Sequence, residues 1–215
     1  MCDSGEHVRR LGVYGGTFDP PHLGHLIAAQ SVLDAWCLDE VVFVPSGTPP
    51  HKNPDEVTPA RHRYMMTLLA TLDNPQFSTS RLELDRPAPS FTVDTLRQLH
   101  GEHPDGVELF FILGLDAMIG LPTWKEPQEV LELCHMIVVG RPGYAQEAVA
   151  QSLGDMYTRY GHRIHFADIP AVDISASDLR SRVREGRSIR YLVPDMVREY
   201  IEAHGLYRGE EGSEP

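Results

Sequence analysis

The chain has 215 residues, of which 41% are hydrophobic and 23% are charged. This length favours one domain with an added segment, large enough to bury a hydrophobic core, and the apolar runs exclude intrinsic disorder. There are 19 Lys and Arg against 31 Asp and Glu. The resulting net charge of −12 argues against a nucleic-acid partner and against binding to anionic membranes.

Short apolar runs alternate with amphipathic stretches along the chain. Strands are predicted at 10–14, 40–45, 76–83, 107–113, 135–140 and 163–169. Helices are predicted between them at 22–36, 59–72, 91–100, 127–133 and 145–160. This alternation predicts an α/β fold, a doubly wound and mainly parallel sheet that binds its ligands beyond the carboxyl ends of the strands.

The chain changes character near residue 174. Short helices are predicted at 177–184 and 194–204, so we expect a single domain over 1–208 with a C-terminal helical part from about 174, and a disordered tail at 209–215. Residues 175–190 hold five arginines against two carboxylates. This cluster is either a solvated helix face or a functional cationic segment, and the roles of Arg182, Arg184, Arg187 and Arg190 stay open.

No apolar stretch reaches the ~20 residues of a membrane span, and residues 1–10 hold no apolar signal region. Cys2, Cys37 and Cys134 are scattered and odd in number, which fits neither a disulfide framework nor a zinc site. We therefore expect a cytoplasmic protein.

The proline-rich loop 46–59 has the length of a functional loop. Its length and prolines are compatible with a lid that closes over a substrate.

The strongest signal follows the first strand, where residues 15–25 read Gly15-Gly16-Thr17-Phe18-Asp19-Pro20-Pro21-His22-Leu23-Gly24-His25. Glycines between a strand and a helix let backbone N–H groups approach phosphate oxygens, and the helix N-terminus adds partial positive charge. Neither a dinucleotide fingerprint nor a P-loop is present. His22 and His25 are three residues apart and share a helix face, and Gly24 is expected to leave room for a ligand between the two rings.

Three interpretations of this loop compete. A metal pair would need further ligands, which this spacing does not supply. A structural interpretation has Thr17 or Asp19 cap the free amides of the helix. In the third, the two imidazoles are hydrogen-bond donors to a phosphoryl transition state, which requires positioning and charge stabilisation more than a nucleophile.

The loop resembles a known signature. Gly16-x-Phe18-Asp19-Pro20-x-His22-x-Gly24-His25 matches the motif of the nucleotidyltransferases related to class I aminoacyl-tRNA synthetases, named for His-x-Gly-His. Seven specified residues in ten positions arise by chance at roughly 10⁻⁹ per start. The resemblance implies a Rossmann-like nucleotidyltransferase fold, catalytic roles for His22, His25 and Arg180, and ATP binding that also involves Gly15, Gly16, Thr17 and Phe18.

A second segment resembles the other motif of this group. Ile174-Ser175-Ala176-Ser177-Asp178-Leu179-Arg180 is similar to I-S-S-T-x-I-R, which in relatives opens a helix that holds the ATP phosphates. Ser175 and Arg180 match, whereas Ala176 replaces a serine and Ser177 replaces a threonine but keeps the hydroxyl. The resemblance implies that Ile174, Ser175 and Arg180 contribute to ATP binding. The resemblance implies a function for Arg180 within the arginine cluster, because an ATP site needs local positive charge in an acidic chain.

Three further stretches resemble the family of bacterial nicotinate-nucleotide adenylyltransferases. They are Pro49-Pro50-His51-Lys52, Ser90-Phe91-Thr92-Val93-Asp94-Thr95-Leu96, and Gly114-Leu115-Asp116 followed by Pro122-Thr123-Trp124-Lys125. The resemblance implies that Gly114 and Asp116 meet the adenosine, and that Lys52, Thr92, Trp124 and Lys125 bind nicotinate mononucleotide. Taken singly, Trp124 could be a core aromatic, Lys52 a solvated lysine and Asp116 a helix N-cap.

The implied reaction transfers the adenylyl group of ATP to nicotinate mononucleotide, with Mg²⁺ on the triphosphate, and yields nicotinate adenine dinucleotide and pyrophosphate. An anionic phosphate nucleophile needs no general base. Alternatives are the same chemistry on nicotinamide mononucleotide, phosphopantetheine, flavin mononucleotide or glycerol phosphate, and a nucleotide-binding regulator without catalysis. An NAD-dependent dehydrogenase lacks its glycine fingerprint here. The sequence is compatible with a homo-oligomer, but no pattern in it indicates a subunit interface.

Overall fold

The computed structural model describes residues 8–48, 57–104, 106–140, 145–170 and 172–208. Within them, the strands are β1 (Arg9–Gly16), β2 (Glu40–Pro45), β3 (Phe77–Thr79), β4 (Val107–Gly114), β5 (His135–Gly140) and β6 (Ile164–Asp168). They form one sheet in the order β3-β2-β1-β4-β5-β6, and every pairing is parallel. The predicted doubly wound α/β fold is confirmed.

The helices of the described residues connect and flank these strands. They are α1 (Leu23–Ala35), α2 (Ala60–Thr71), α3 (Thr92–Glu102), α4 (Leu115–Ile119), α5 (Pro127–Leu133), α6 (Ala145–Leu153), α7 (Asp155–Tyr160), α8 (Ala176–Arg184) and α9 (Asp195–Ala203). Single 3-10 turns lie at Leu121–Thr123 and Gly161–Arg163. None of the described helices is long and apolar enough to cross a membrane.

Hydrophobic packing covers both faces of the sheet. On one face, α1 contributes Ala29 and Val32, which lie in one cluster with Phe43 of β2. On the other face, α3 and α5 pack against β4, with Leu96 and Leu131 fully buried. Continuous burial explains why β2 is apolar at consecutive positions, as expected of parallel strands covered on both sides.

The C-terminal helices form a smaller core of their own. Leu179 of α8 and Val197 and Ile201 of α9 are buried together with Met66 and Ala70 of α2. The chain between α8 and α9 reaches the start of α1, where the carbonyl of Leu192 accepts a hydrogen bond from the backbone N–H of Leu23 at 3.0 Å. The C-terminal part is therefore attached beside the loop that carries the histidines.

The structure departs from the predicted elements most clearly in three places. The strand predicted at 76–83 ends at Thr79, because the chain turns through Arg81–Asp85, where backbone hydrogen bonds and an Arg81–Asp85 ion pair close the turn. The helix predicted at 145–160 is divided at Gly154, whose φ of +52° cannot continue a helix. The five-residue α4 was not predicted, since it is too short to show a period.

Candidate active site

The candidate site lies where the order of the sheet reverses. β1 and β4 are adjacent, and α1 packs on one face of the sheet whereas α3 and α5 pack on the other. Open parallel sheets bind ligands beyond the carboxyl ends of their strands at such a position. Residues 17–22, here called the first loop, leave β1 at this point and lead into α1.

Two glycines let the end of β1 and the first loop pack against aromatic rings. A Cβ on Gly15 would lie 2.8 Å from Cζ of Phe111, and a Cβ on Gly16 would lie 2.9 Å from Cζ of Phe18. Phe18 has a φ of +49°, and its buried ring meets that of Tyr14 edge-on at 5.6 Å. Because the ring of Phe18 belongs to the core, only its backbone can meet a nucleotide.

His22 and His25 stand together at the start of α1. His22 is the N-cap residue, its backbone N–H donates to Nδ1 of His25 at 3.1 Å, and the two rings stack with centroids 3.7 Å apart. The predicted shared face is confirmed. The predicted space for a ligand between the rings is wrong, because the rings are in contact. Gly24 instead makes room for His22, whose Nδ1 would lie 3.0 Å from a Cβ at this position.

Both imidazoles are neutral at pH 7. Burial lowers the pKa of His22 to about 4. Burial and the neighbouring His22 lower the pKa of His25 well below its ordinary value. Nδ1 of His22 is buried and has no hydrogen-bond partner in the described structure. This nitrogen lies against the first turn of α1, beside Gly24, so its position reflects the local geometry at the start of the helix.

Asp19 anchors the first loop to distant parts of the chain. Its carboxylate accepts hydrogen bonds from the backbone N–H of Thr58 at 3.1 Å and from the hydroxyl of Tyr207 at 2.6 Å. Its carbonyl accepts a bond from Arg180 Nη1 at 2.7 Å. The alternative in which Asp19 caps α1 is therefore wrong. Arg180, which is predicted to bind the ATP phosphates, lies against the first loop.

The second motif begins α8. Ser175 is the N-cap residue, and its hydroxyl accepts a hydrogen bond from the N–H of Asp178 at 3.2 Å. Ile174 packs beside the C-terminal core. The hydroxyl of Ser177 lies 3.2 Å from that of Ser175. The local role of Ser175 is thus helix capping, and any phosphate contact would be an additional role of this exposed residue.

A cavity of about 470 Å³ opens beside the first loop. The predicted site residues that line it are Gly15, Gly16, Thr17, Thr92, Asp116, Trp124 and Lys125. The structure brings the predicted mononucleotide residues together here, with the exception of Lys52, which lies outside the described residues. His22, His25 and Arg180 do not line the cavity. The two histidines lie at the start of α1, and Arg180 reaches the first loop from α8.

Lys125 lies at the rim of the cavity in a defined position. Its ammonium group is 3.0 Å from Oδ2 of Asp94 and 4.9 Å from the centre of the Phe91 ring. Partial burial of Asp94 raises its pKa, but hydrogen bonds from Lys125 and Arg97 outweigh this effect and hold the pKa below its usual value. The carboxylate therefore remains charged and keeps Lys125 beside the start of α3.

Trp124 and Asp116 occupy two sides of the cavity. Trp124 is half-buried and meets the ring of Phe111 edge-on at 6.1 Å. Asp116 is exposed in the first turn of α4, and the N-cap residue of that helix is Gly114. The alternative in which Asp116 is an N-cap is therefore wrong, and its carboxylate faces a space that a ribose could enter.

Sequence reasoning missed three residues around the site. Arg63 is 1% exposed and lies in the buried stripe that α2 forms with Met66 and Ala70. An arginine at an apolar position of a helix is a signal that could have identified it. Glu83 lies inside the strand predicted at 76–83 and lines the cavity, and Tyr207 follows the last helix. Contacts across such sequence distances leave no local pattern.

Comparison with known proteins agrees with this geometry. The model of the cytidylyltransferase-like family matches residues 13–182. A protein of Thermus thermophilus named as a probable nicotinate-nucleotide adenylyltransferase is 48% identical over 93% of this chain and 100% of its own length. A protein of Moorella thermoacetica with the same name is 46% identical over 93% of this chain and 92% of its own length.

A solved structure shares the fold. The nicotinic acid mononucleotide adenylyltransferase of Plasmodium falciparum, in complex with NaAD, superimposes with a TM-score of 0.73 at 19% identity, over 93% of this chain and 97% of that one. The order of the sheet and the first loop define a nucleotidyltransferase fold. The chain belongs to the cytidylyltransferase-like family, and within it to the family of the nicotinate-nucleotide adenylyltransferases.

Proposed function

We propose that the chain transfers the adenylyl group of ATP to nicotinate mononucleotide, releasing pyrophosphate and forming nicotinate adenine dinucleotide in NAD biosynthesis. The observation that carries this proposal is the juxtaposition of the first loop with the cavity around Trp124. The first loop has the donors for a phosphoryl group, and the cavity has the size and aromatic wall for a mononucleotide. The names of relatives 41–48% identical support the same reaction.

The charge that develops on the α-phosphate would be stabilised by donors at the end of β1, in the first loop, at the start of α1 and on α8. His22 and His25 are neutral, so each acts as an N–H donor and adds no net charge before ATP binds. His25 uses Nδ1 as the acceptor for the backbone of His22, which leaves its Nε2–H free to donate. Arg180 supplies the positive charge, and N–H groups at Gly15, Gly16 and Thr17 complete the set.

The mononucleotide would lie in the cavity with its pyridine ring against Trp124. Thr92 begins the eleven-residue α3, whose first N–H groups and partial positive charge favour a carboxylate. Lys125, which is paired with Asp94, adds an N–H donor at the same rim. Nicotinate carries a negative charge that nicotinamide lacks, so these donors would favour the acid over the amide. Lys52 would steer the phosphate of the mononucleotide.

Mg²⁺ would enter with ATP, bound by oxygens of the triphosphate. In the described parts of the chain, no group of three or more His, Cys, Asp or Glu is placed to hold a metal ion. Substrate phosphates and water are common ligands of Mg²⁺, so the MgATP complex fits a site of this kind. We also propose a cytoplasmic location, since the scattered cysteines suit a reducing compartment.

Product analysis tests the proposal. The protein is incubated with MgATP and nicotinate mononucleotide, and the products are identified by chromatography and mass spectrometry. We expect one dinucleotide and one pyrophosphate for each ATP consumed. ATP binding without release of pyrophosphate would contradict the reaction and support a nucleotide-binding regulator.

The position of the pyridine ring has a separate test. The chain has two tryptophans, so Trp36→Phe leaves Trp124 as the single fluorescent reporter in the cavity. Nicotinate mononucleotide should quench this fluorescence, and ATP alone should change it much less. Trp124→Ala should raise the KM for the mononucleotide at least tenfold and leave the KM for ATP within about threefold. Equal effects on both substrates would contradict the placement.

A further inference from the structure

Arg63 is a buried cation that the proposed reaction does not use. Its side chain is 1% exposed, and its three nitrogens donate to three backbone carbonyls. Nε donates to Thr58 at 2.8 Å, Nη1 to Thr17 at 2.9 Å, and Nη2 to Gly47 at 2.8 Å. A buried guanidinium group is stable only when its N–H groups have hydrogen-bond acceptors. Because the group is planar and carries N–H donors in several directions, it can bond to three separate segments at once.

Gly47 is held from its other side by Glu83. The hydroxyl of Thr95 donates to the Glu83 carboxylate at 2.9 Å, and the backbone N–H of Gly47 lowers the pKa of this carboxylate. A Cβ on Gly47 would overlap the carbonyl of Glu83 and lie 2.8 Å from Oγ of Ser90. The Gly47 residue therefore sits between a guanidinium at its carbonyl and a carboxylate at its N–H, each matching the partial charge that it meets.

This arrangement joins three walls of the cavity. Thr17 belongs to the first loop, Gly47 to the loop after β2, and Thr95 to α3, whose first residue is Thr92. Thr17, Glu83 and Thr92 also line the cavity. Burial raises the pKa of Glu83, and the hydrogen bond from Thr95, the charge of Arg86, the N–H of Gly47 and the charge of Arg63 oppose that rise. The guanidinium of Arg63 and the carboxyl group of Glu83 thus meet the same residue, Gly47, from two sides.

We propose that Arg63 and Glu83 are positioning residues of the transfer reaction, which fix the distance between the first loop and the mononucleotide cavity through Gly47. The inference rests on the proposed function. In-line attack needs the mononucleotide phosphate and the α-phosphorus of ATP in a defined geometry, and a displacement of about 1 Å costs up to ~10²-fold in rate. Arg63 itself contacts only protein groups, so it acts through the loops that it joins.

The test compares Arg63→Lys, Glu83→Gln and the double variant with Arg61→Lys, an exposed arginine on the same helix. A lysine ammonium at position 63 cannot reach three carbonyls in separate directions, and a glutamine at position 83 keeps the size of glutamate without its charge. We measure Tm, kcat and KM by pyrophosphate release, and the Kd of each substrate alone. We expect kcat of each single variant to fall 10- to 100-fold, with the Kd of ATP within threefold of the wild type.

The double variant separates positioning from independent effects. Because both residues act on Gly47, the kcat of the double variant should be close to that of the worse single variant. Arg61→Lys should match the wild type. Folded single variants with kcat within threefold of the wild type, or a double variant whose losses multiply, would overturn the inference.

Amide hydrogen exchange gives a second reading that needs no turnover. In Glu83→Gln, residues 15–19 and 46–48 should both exchange at least tenfold faster than in the wild type, while β4 is unchanged. Unchanged exchange in both loops would contradict the inference. A wild-type protein that releases no pyrophosphate would contradict the proposed function instead. The exchange result would still show whether Arg63 and Glu83 hold the two loops in place.

Discussion

His25 has two separate roles in this structure, one for each ring nitrogen. Nδ1 accepts the hydrogen bond from the backbone of His22, and Nε2 remains available for a phosphate oxygen. His25→Ala removes both, whereas His25→Asn retains an acceptor near the position of Nδ1 and removes only Nε2. The pair of variants therefore separates catalysis from helix capping.

We expect both variants to lose 10²–10³-fold in kcat, about 3–4 kcal/mol of transition-state stabilisation, because the donor is absent from each. The measurement is steady-state release of pyrophosphate, with circular dichroism to show that the fold is intact. If His25→Asn restored kcat to within a few-fold of the wild type, the role of His25 would be structural.

The buried His22 makes stability depend on pH. Its pKa is about 4 in the folded protein and 6.5 in an ordinary setting, so the unfolded chain binds more protons between these values. The stabilisation that comes from keeping His22 neutral is therefore complete above pH 6.5 and is lost as the pH falls through 4. The part lost between pH 7 and pH 5 amounts to about 2 kcal/mol.

Urea unfolding at pH 7 and pH 5 measures this contribution. The free energy of unfolding of the wild type should fall with pH, and His22→Asn should fall by about 2 kcal/mol less, since its side chain does not titrate. The same loss of stability in both proteins would show that His22 is not held neutral by the fold.

At the scale of elements, the packing of the end of β1 against β4 shapes one wall of the cavity. Gly15→Ala would place a methyl group 2.8 Å from Phe111, a core ring that also touches Trp124. We expect a loss of about 1–3 kcal/mol in unfolding free energy together with a higher KM for the mononucleotide. Gly101→Ala in α3 meets nothing within 4 Å and should raise stability by about 0.5–1 kcal/mol. Equal stability changes in the two variants would contradict the packing.

The attachment of α8 to the first loop is a second property of elements. Arg180→Ala removes both the predicted triphosphate cation and the bond to the carbonyl of Asp19, so kcat should fall about 10²-fold or more. Arg182 lies two residues away in a partly exposed ion pair with Asp178, and its replacement by alanine should change kcat less than twofold. A similar loss in both variants would assign the effect to α8 as a whole.

At the scale of the whole molecule, most of the fold could be predicted, because parallel strands buried on both faces are apolar without interruption, as in β2 and β4. The bounds failed where geometry outweighs composition, as at Gly154 and in the turn after Thr79. The first loop could be located from its glycines and histidines. Arg63 and Glu83 could not, because they lie on either side of Gly47 only after distant segments of the chain have come together.

The preference among acceptors tests the central claim most directly. Pyrophosphate release from MgATP is measured with nicotinate mononucleotide, nicotinamide mononucleotide and phosphopantetheine under identical conditions. We predict that kcat/KM for the nicotinate form exceeds the other two at least 100-fold, because the start of α3 and Lys125 offer donors to a carboxylate. A higher kcat/KM with either of the other acceptors would contradict the assignment of the cavity, and no release with any acceptor would contradict the assignment of the first loop.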